Sequence, residues 1–173
     1  LALHYALKAN PFLPVVELMH GLVDGFDIAS GGELGIVQAA GIDPAQVSFA
    51  GPGKRDAELE AAISCGVTLN LESESEAERA LAIAQRIGAT PRLAIRVNPD
   101  FDLKGSGMKM GGGAKPFGID AERVGQLARR IIASGADWRG FHIFSRSQAL
   151  RAAAIAPTPA QTPPPAARPA GGG

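Results

Sequence analysis

Residues 68–98 read TLNLESESEAERALAIAQRIGATPRLAIRVN, and this stretch decides the fold. TLNLES is a short β-rich run, ESEAERALAIAQRIG is strongly amphipathic at helical spacing, and RLAIRVN is β-rich again. A strand, a helix and a second strand in that order make a βαβ unit, whose strands lie parallel. The alternation extends both ways. Upstream, HYALKAN, FDIAS and VSFAG read as strands, with PFLPVVELMHGL, GGELGIVQAAG and RDAELEAAISCG as the helices that follow them. Downstream, DAERVGQLARRIIASG is a helix and WRGFHIFS a strand. About six β-runs with about five helices between them indicate an α/β fold around a parallel sheet. A closed (β/α)8 barrel needs about eight units and typically ~250 residues, so this 173-residue chain fits either an open doubly wound sheet or an incomplete barrel.

Composition narrows the function classes. Lys+Arg and Asp+Glu number 17 each, so the formal net charge is zero and no electrostatic footprint for nucleic acid or an anionic membrane is expected. No apolar run approaches the ~20 residues of a membrane span, and no charged n-region precedes an apolar stretch as in a secretory signal. Cys65 is the sole cysteine, which excludes an internal disulfide and fits a reducing, cytoplasmic setting. In AAISCG it reads as a small apolar residue near a helix end. His4, His20 and His142 stand far apart, and no grouping has metal-ligand spacing, so no metal is expected. Ser30-Gly-Gly-Glu33 and Ser73-Glu-Ser-Glu76 each place a glutamate three residues after a serine, the pattern of a capping box, which gives both glutamates structural work.

In parallel α/β folds the catalytic groups collect at the C-terminal ends of strands. Lys8 stands there in HYALKANP, a lysine ending what reads as an inner strand, where lysines are rarely found unpaired. Asp27 and Ser30 occupy the same place in FDIAS, Arg96 and Asn98 in AIRVNP, and His142, Ser145 and Ser147 in FHIFSRSQ. Such a ring can hold an anionic, carbonyl-bearing cofactor, with Lys8 able to form a Schiff base; each residue also fits as an ordinary strand-end polar group. GPGK at residues 51–54 is not a phosphate loop, since Ser48 stands where the upstream glycine belongs and Arg55 where Ser/Thr belongs. GSGMKMGGGAKPFG at residues 105–118 lacks dinucleotide spacing; it is a long glycine-rich loop of the kind that forms lids or binding loops, or that is simply flexible.

Taken in order, YALKANP, FDIASGGELG, AIRVNP, PFGID and GFHIFSRSQ resemble the pyridoxal-phosphate-dependent decarboxylases of the alanine-racemase-like barrel type, the diaminopimelate, ornithine and arginine decarboxylase family. The loop GSGMKMGGGAKPFGI is most similar to the subgroup associated with bacterial exosortase systems. The resemblance implies a partial (β/α)8 barrel of about six βα units over residues 1–155, with pyridoxal phosphate as cofactor and a small-molecule amino-acid substrate. It makes Lys8 the Schiff-base lysine and Asp27 an acidic neighbour of it. Arg96 is placed near the cofactor's ring hydroxyl and Ser147 near its phosphate. Aligned on Ser147-Gln148, the residue stacking on the cofactor ring is Phe144; aligned on the histidine, it is His142. The Ser-Gln anchor favours Phe144.

Two departures stand out: Arg146 replaces a glycine beside the cofactor phosphate, and Pro116 a lysine before Phe-Gly. The resemblance also places the first barrel strand before Leu1. The later phosphate loop, the acidic partner of the pyridine nitrogen and the β-domain of the typical homodimer would lie beyond the seventh strand. From about Ala156 the chain reads APTPAQTPPPAARPAGGG, a composition that cannot bury a core and is expected to be disordered. Decarboxylation of a diaminopimelate-like or ornithine-like amino acid is therefore the first expectation, with the piece inactive alone. The alternatives are a racemase or other cofactor-carrying barrel, and a non-catalytic remnant.

Overall fold

The computed structural model describes residues 2–98 and 117–144. Seven strands form one sheet: β1 (His4–Ala6), β2 (Gly25–Ile28), β3 (Val47–Phe49), β4 (Thr68–Leu71), β5 (Arg92–Asn98), β6 (Ile119–Asp120) and β7 (Asp137–Ile143). Five helices lie between them: α1 (Leu13–His20), α2 (Gly31–Ala39), α3 (Asp56–Cys65), α4 (Glu74–Ile87) and α5 (Ala121–Ala133). Every pairing is parallel, and β1 to β5 neighbour one another in chain order. β7 runs along β5, and the short β6 pairs with its last two residues.

The strand period of two sorts the sheet into two faces. Phe26, Ile28, Phe49, Leu69, Leu71, Leu93 and Ile95 are buried, and they pack with Leu34, Val37, Leu59, Ile63, Ile83, Leu127 and Ile131 from the helices. Asp27, Ser48, Asn70 and Arg96 alternate with them and share the opposite face. α4 shows why its sequence is helical there. Its buried residues Ala77, Ala80, Ile83 and Ala84 recur at helical spacing, while Arg79 and Arg86 reach across to Asp56 and Glu60 of α3 at 2.6 and 2.9 Å.

The sheet is curled. β1 and β7 stand five strand spacings apart along β1-β2-β3-β4-β5-β7, which in a flat sheet is about 24 Å. Yet the Lys8 Nζ just past β1 lies 5.4 Å from the centre of the Phe144 ring just past β7. The polar face is thus the inside of a partial barrel and the helices its outside, which answers the question of open sheet against incomplete barrel.

Three local readings need correction. β1 stops at Ala6, and Leu7–Ala9 form a 3-10 turn, so Lys8 is exposed in a turn rather than set in an inner strand. β6 is an additional two-residue strand, too short to show a period. Neither expected capping box closes on itself. Ser30 and Ser73 do accept the Glu33 and Glu76 N–H groups, at 3.2 and 3.1 Å, but the return bonds go elsewhere. Glu33 accepts the Ala29 N–H, and Glu76 turns inward to Lys54. The stretch 156–173 lies outside the described residues.

Candidate functional site

The strand register builds the site. Arg96 on β5 stands opposite His142 on β7, and Ala94 opposite Gly140. Between Leu93 and Ala94 the register slips by one residue of β7, so Arg139 is bulged out. Gly140 follows it with φ +103, a backbone that favours glycine. The bulge puts Trp138 and Phe141 on the helix face, beside Leu93 and Ile95, and leaves His142 on the inner face with Arg96.

Four of the expected residues converge on that inner face. The Lys8 ammonium and the Arg96 guanidinium lie 5.4 and 5.0 Å from the centre of the Phe144 ring, both within cation–π range. Phe117 lies 5.1 Å from the same guanidinium. The Nδ1 of His142 is buried with no hydrogen-bond partner among the described residues. Burial, and then the neighbouring Arg96 charge, push His142 below the ordinary histidine value, which keeps it neutral. Asp27 is on the inner face too, paired through its Oδ1 with the Nδ1 of His4 at 3.1 Å. Ser30 serves as the cap of α2, and Asn98 donates to Asp120 at 3.0 Å. Ser145, Arg146, Ser147 and the loop up to Pro116 lie outside the described residues.

Behind this ring is a set of buried charges that the sequence did not single out. Glu72, just after β4, has a side chain only 1 % exposed. Its Oε1 accepts from Arg96 Nη1 at 2.9 Å and from the Gly51 N–H at 2.6 Å; its Oε2 accepts from the Gly118 N–H at 3.0 Å. Next to it, Lys54 and Glu76 pair at 2.7 Å with both side chains 1 % exposed. The Lys54 ammonium also donates to the Gly51 and Asn70 carbonyls, which uses all three of its protons. Burial pushes Lys54 down and Glu76 up, and the opposite charge of the partner resists both shifts. Among the described residues the buried lysine is therefore Lys54, not Lys8. It lies in GPGK, which fails as a phosphate loop, and its ammonium turns back onto that loop at the Gly51 carbonyl.

Residues 1–157 match the family described as pyridoxal-dependent decarboxylase, pyridoxal binding domain. The chain belongs to this family. A curated diaminopimelate decarboxylase from Neisseria meningitidis is 45% identical over 121 residues, 66% of this chain and 29% of the relative. A crystal structure of the diaminopimelate decarboxylase of Helicobacter pylori, complexed with L-lysine, superposes with a TM-score of 0.76 at 33% identity over 87% of this chain and 39% of that one. A lysine decarboxylase from Selenomonas ruminantium superposes with a TM-score of 0.71 at 27% identity, covering 88% of this chain and 38% of that one. The pyridoxal binding domain thus spans well under half the length of the relatives it matches.

Family membership brings pyridoxal phosphate as cofactor, and the inner face suits it. That cofactor is a flat ring carrying an aldehyde, a phenolic oxygen and an anionic phosphate. The face offers an exposed primary amine at Lys8, a cation at Arg96, a flat ring at Phe144 and the unpartnered Nδ1 of His142. Among the described residues, no three His, Cys, Asp or Glu side chains gather as a metal site, and no helix is long and apolar enough to cross a membrane.

Proposed function

We propose that this chain is the cofactor-holding part of an amino-acid decarboxylase that acts on a diaminopimelate-like substrate, with Lys8 as the amine that attaches the cofactor. The observation carrying this reading is the convergence of Lys8 and Arg96 on one ring, Phe144, inside the barrel at the strand ends. When bound, pyridoxal phosphate supplies an electron sink for the pair left on the substrate α-carbon as its carboxylate leaves as CO2. The chain's own residues do the holding and orienting. Lys8 presents its amine from a short turn at the end of β1, with Asp27 one strand away as the acidic neighbour. Arg96 supplies a fixed positive charge for the ring hydroxyl side. Phe144 offers the flat surface and His142 a neutral ring nitrogen; Phe144's place against both cations supports it as the stacking residue. Ser147 at the phosphate belongs to the same proposal on the strength of its motif, as do the cytoplasmic setting and the homodimer. The diaminopimelate-like substrate is supported by the relatives' names.

The test is to incubate the chain with pyridoxal phosphate, reduce with borohydride and map the adduct by peptide mass. A single adduct on the peptide bearing Lys8, lost in Lys8→Ala, is the expected result, with no CO2 released from diaminopimelate or ornithine by the chain alone. A folded chain with no adduct, or with adducts spread over surface lysines, would leave a non-catalytic remnant instead.

A further inference from the structure

We propose that Glu72 is a positioning residue for the cofactor site, aiming the Arg96 guanidinium through a joint that also holds the turn ahead of β6. The inference rests on the inner ring being that site. Of the four ring residues, Glu72 is hydrogen-bonded to Arg96 alone among the described residues. It binds Arg96 Nη1 at 2.9 Å while accepting two backbone N–H groups, Gly51 after β3 and Gly118 before β6. One carboxylate thereby ties the ends of three strands, β3, β5 and β6, from its own place after β4. The guanidinium lies within cation–π range of both Phe117 and Phe144, at 5.1 and 5.0 Å, and its Nη1 is directed by Glu72. Among the described residues its other N–H groups have no protein partner, which leaves the free side of the fork for a ligand.

A carboxylate with only a capping role looks different in this same chain. Glu58 accepts the Gly31 and Arg55 N–H groups and is bonded to no residue of the inner face. Glu72 combines the same backbone work with a charge-assisted bond to Arg96. Replacing it by glutamine puts an NH2 donor against either Gly118 N–H or the Gly51 and Arg96 donors, and leaves the guanidinium without its counter-charge.

The experiment is a double-mutant cycle on the 173-residue chain, reading the dissociation constant for pyridoxal phosphate by equilibrium dialysis. The variants are Glu72→Gln, Arg96→Met and the pair together, with folding checked by circular dichroism. Glu72→Gln is expected to weaken binding by about tenfold, and the double variant to be no weaker than Arg96→Met within about twofold, because Glu72 acts through Arg96. Glu58→Gln is expected to lower stability with cofactor affinity unchanged, which a general loss of rigidity would not give. Unchanged affinity in a folded Glu72→Gln variant, or losses that multiply in the double variant, would overturn the proposal. Should Glu72→Gln fail to fold, Glu72→Asp, which keeps the charge but shortens the reach, enters the cycle under the same criterion. If the wild-type chain binds no pyridoxal phosphate, the reading of the site itself fails; if it binds and the cycle is additive, only the role of Glu72 does.

Discussion

His142 carries a pH dependence that follows from its place beside Arg96. Burial and the Arg96 charge lower its pKa in the folded chain, whereas an unfolded histidine titrates near ~6.5. Below that value the unfolded chain binds the extra proton first, so stability is lost as pH falls from about 7 toward the folded pKa. His142→Gln is expected to flatten the urea-midpoint profile over that window; an unchanged slope would place the titration elsewhere. Glu58 acts in a lower window. The Arg55 and Gly31 N–H bonds depress its pKa, so its contribution is present above an unfolded value near ~4.3 and is lost as pH falls through the folded one. Lys8, Arg96 and the pair of Phe144 and His142 were legible in the sequence because strand-end position and ordered motifs mark them. Glu72 and Lys54 were not. Their importance lies in burial and in partners such as Glu76 and Gly118, 22 and 46 residues away, which a local pattern does not carry, and Glu72 sits in the TLNLES run that reads as a strand.

At the scale of elements, two glycines set where side chains point. Gly140, at φ +103, follows the bulged Arg139 and has open space around its missing Cβ. Gly140→Ala is therefore expected to cost backbone strain alone, roughly 1–3 kcal/mol. Gly118, at φ +77, is tighter, because a Cβ there would stand 3.2 Å from the Arg96 carbonyl oxygen and the Asn98 nitrogen. Gly118→Ala adds that crowding to the same strain, so it is expected to be the more destabilising of the two and to weaken cofactor binding by moving the Glu72 joint. Chemical denaturation compares the stabilities directly, and equal losses would mean the turn relaxes freely. The strands and helices with a full period, such as β5 and α4, were read within a few residues of where they form. The features that fix the site were not: the 3-10 turn that frees Lys8, the two-residue β6 and the bulge in β7. None is long enough to repeat the pattern used to find it.

For the whole molecule, the sequence left open whether the parallel sheet lies flat or curls, because that depends on contacts between its first and last strands. The meeting of Lys8 with Phe144 answers it, and a curled sheet then needs an inside. Here the inside is polar, with Glu72 paired to Arg96 and, behind it, Lys54 paired to Glu76. The second pair links the loop after β3 to the first turn of α4 across the barrel wall. Removing one member should leave the other buried and unmatched, so Glu76→Leu is expected to cost about 3–5 kcal/mol. The double variant Lys54→Met with Glu76→Leu removes both charges and should recover part of that loss. Recovery stays incomplete because the Gly51 and Asn70 carbonyls lose the ammonium they accept from, each orphaned acceptor costing about 1–3 kcal/mol where no water reaches it. Urea titration of the two variants gives the comparison. A double variant as stable as the wild type would show that the loop opens to solvent once the lysine is gone. One no better than Glu76→Leu alone would show that the lysine's work is done on the two carbonyls, with the ion pair contributing little to holding the barrel wall together.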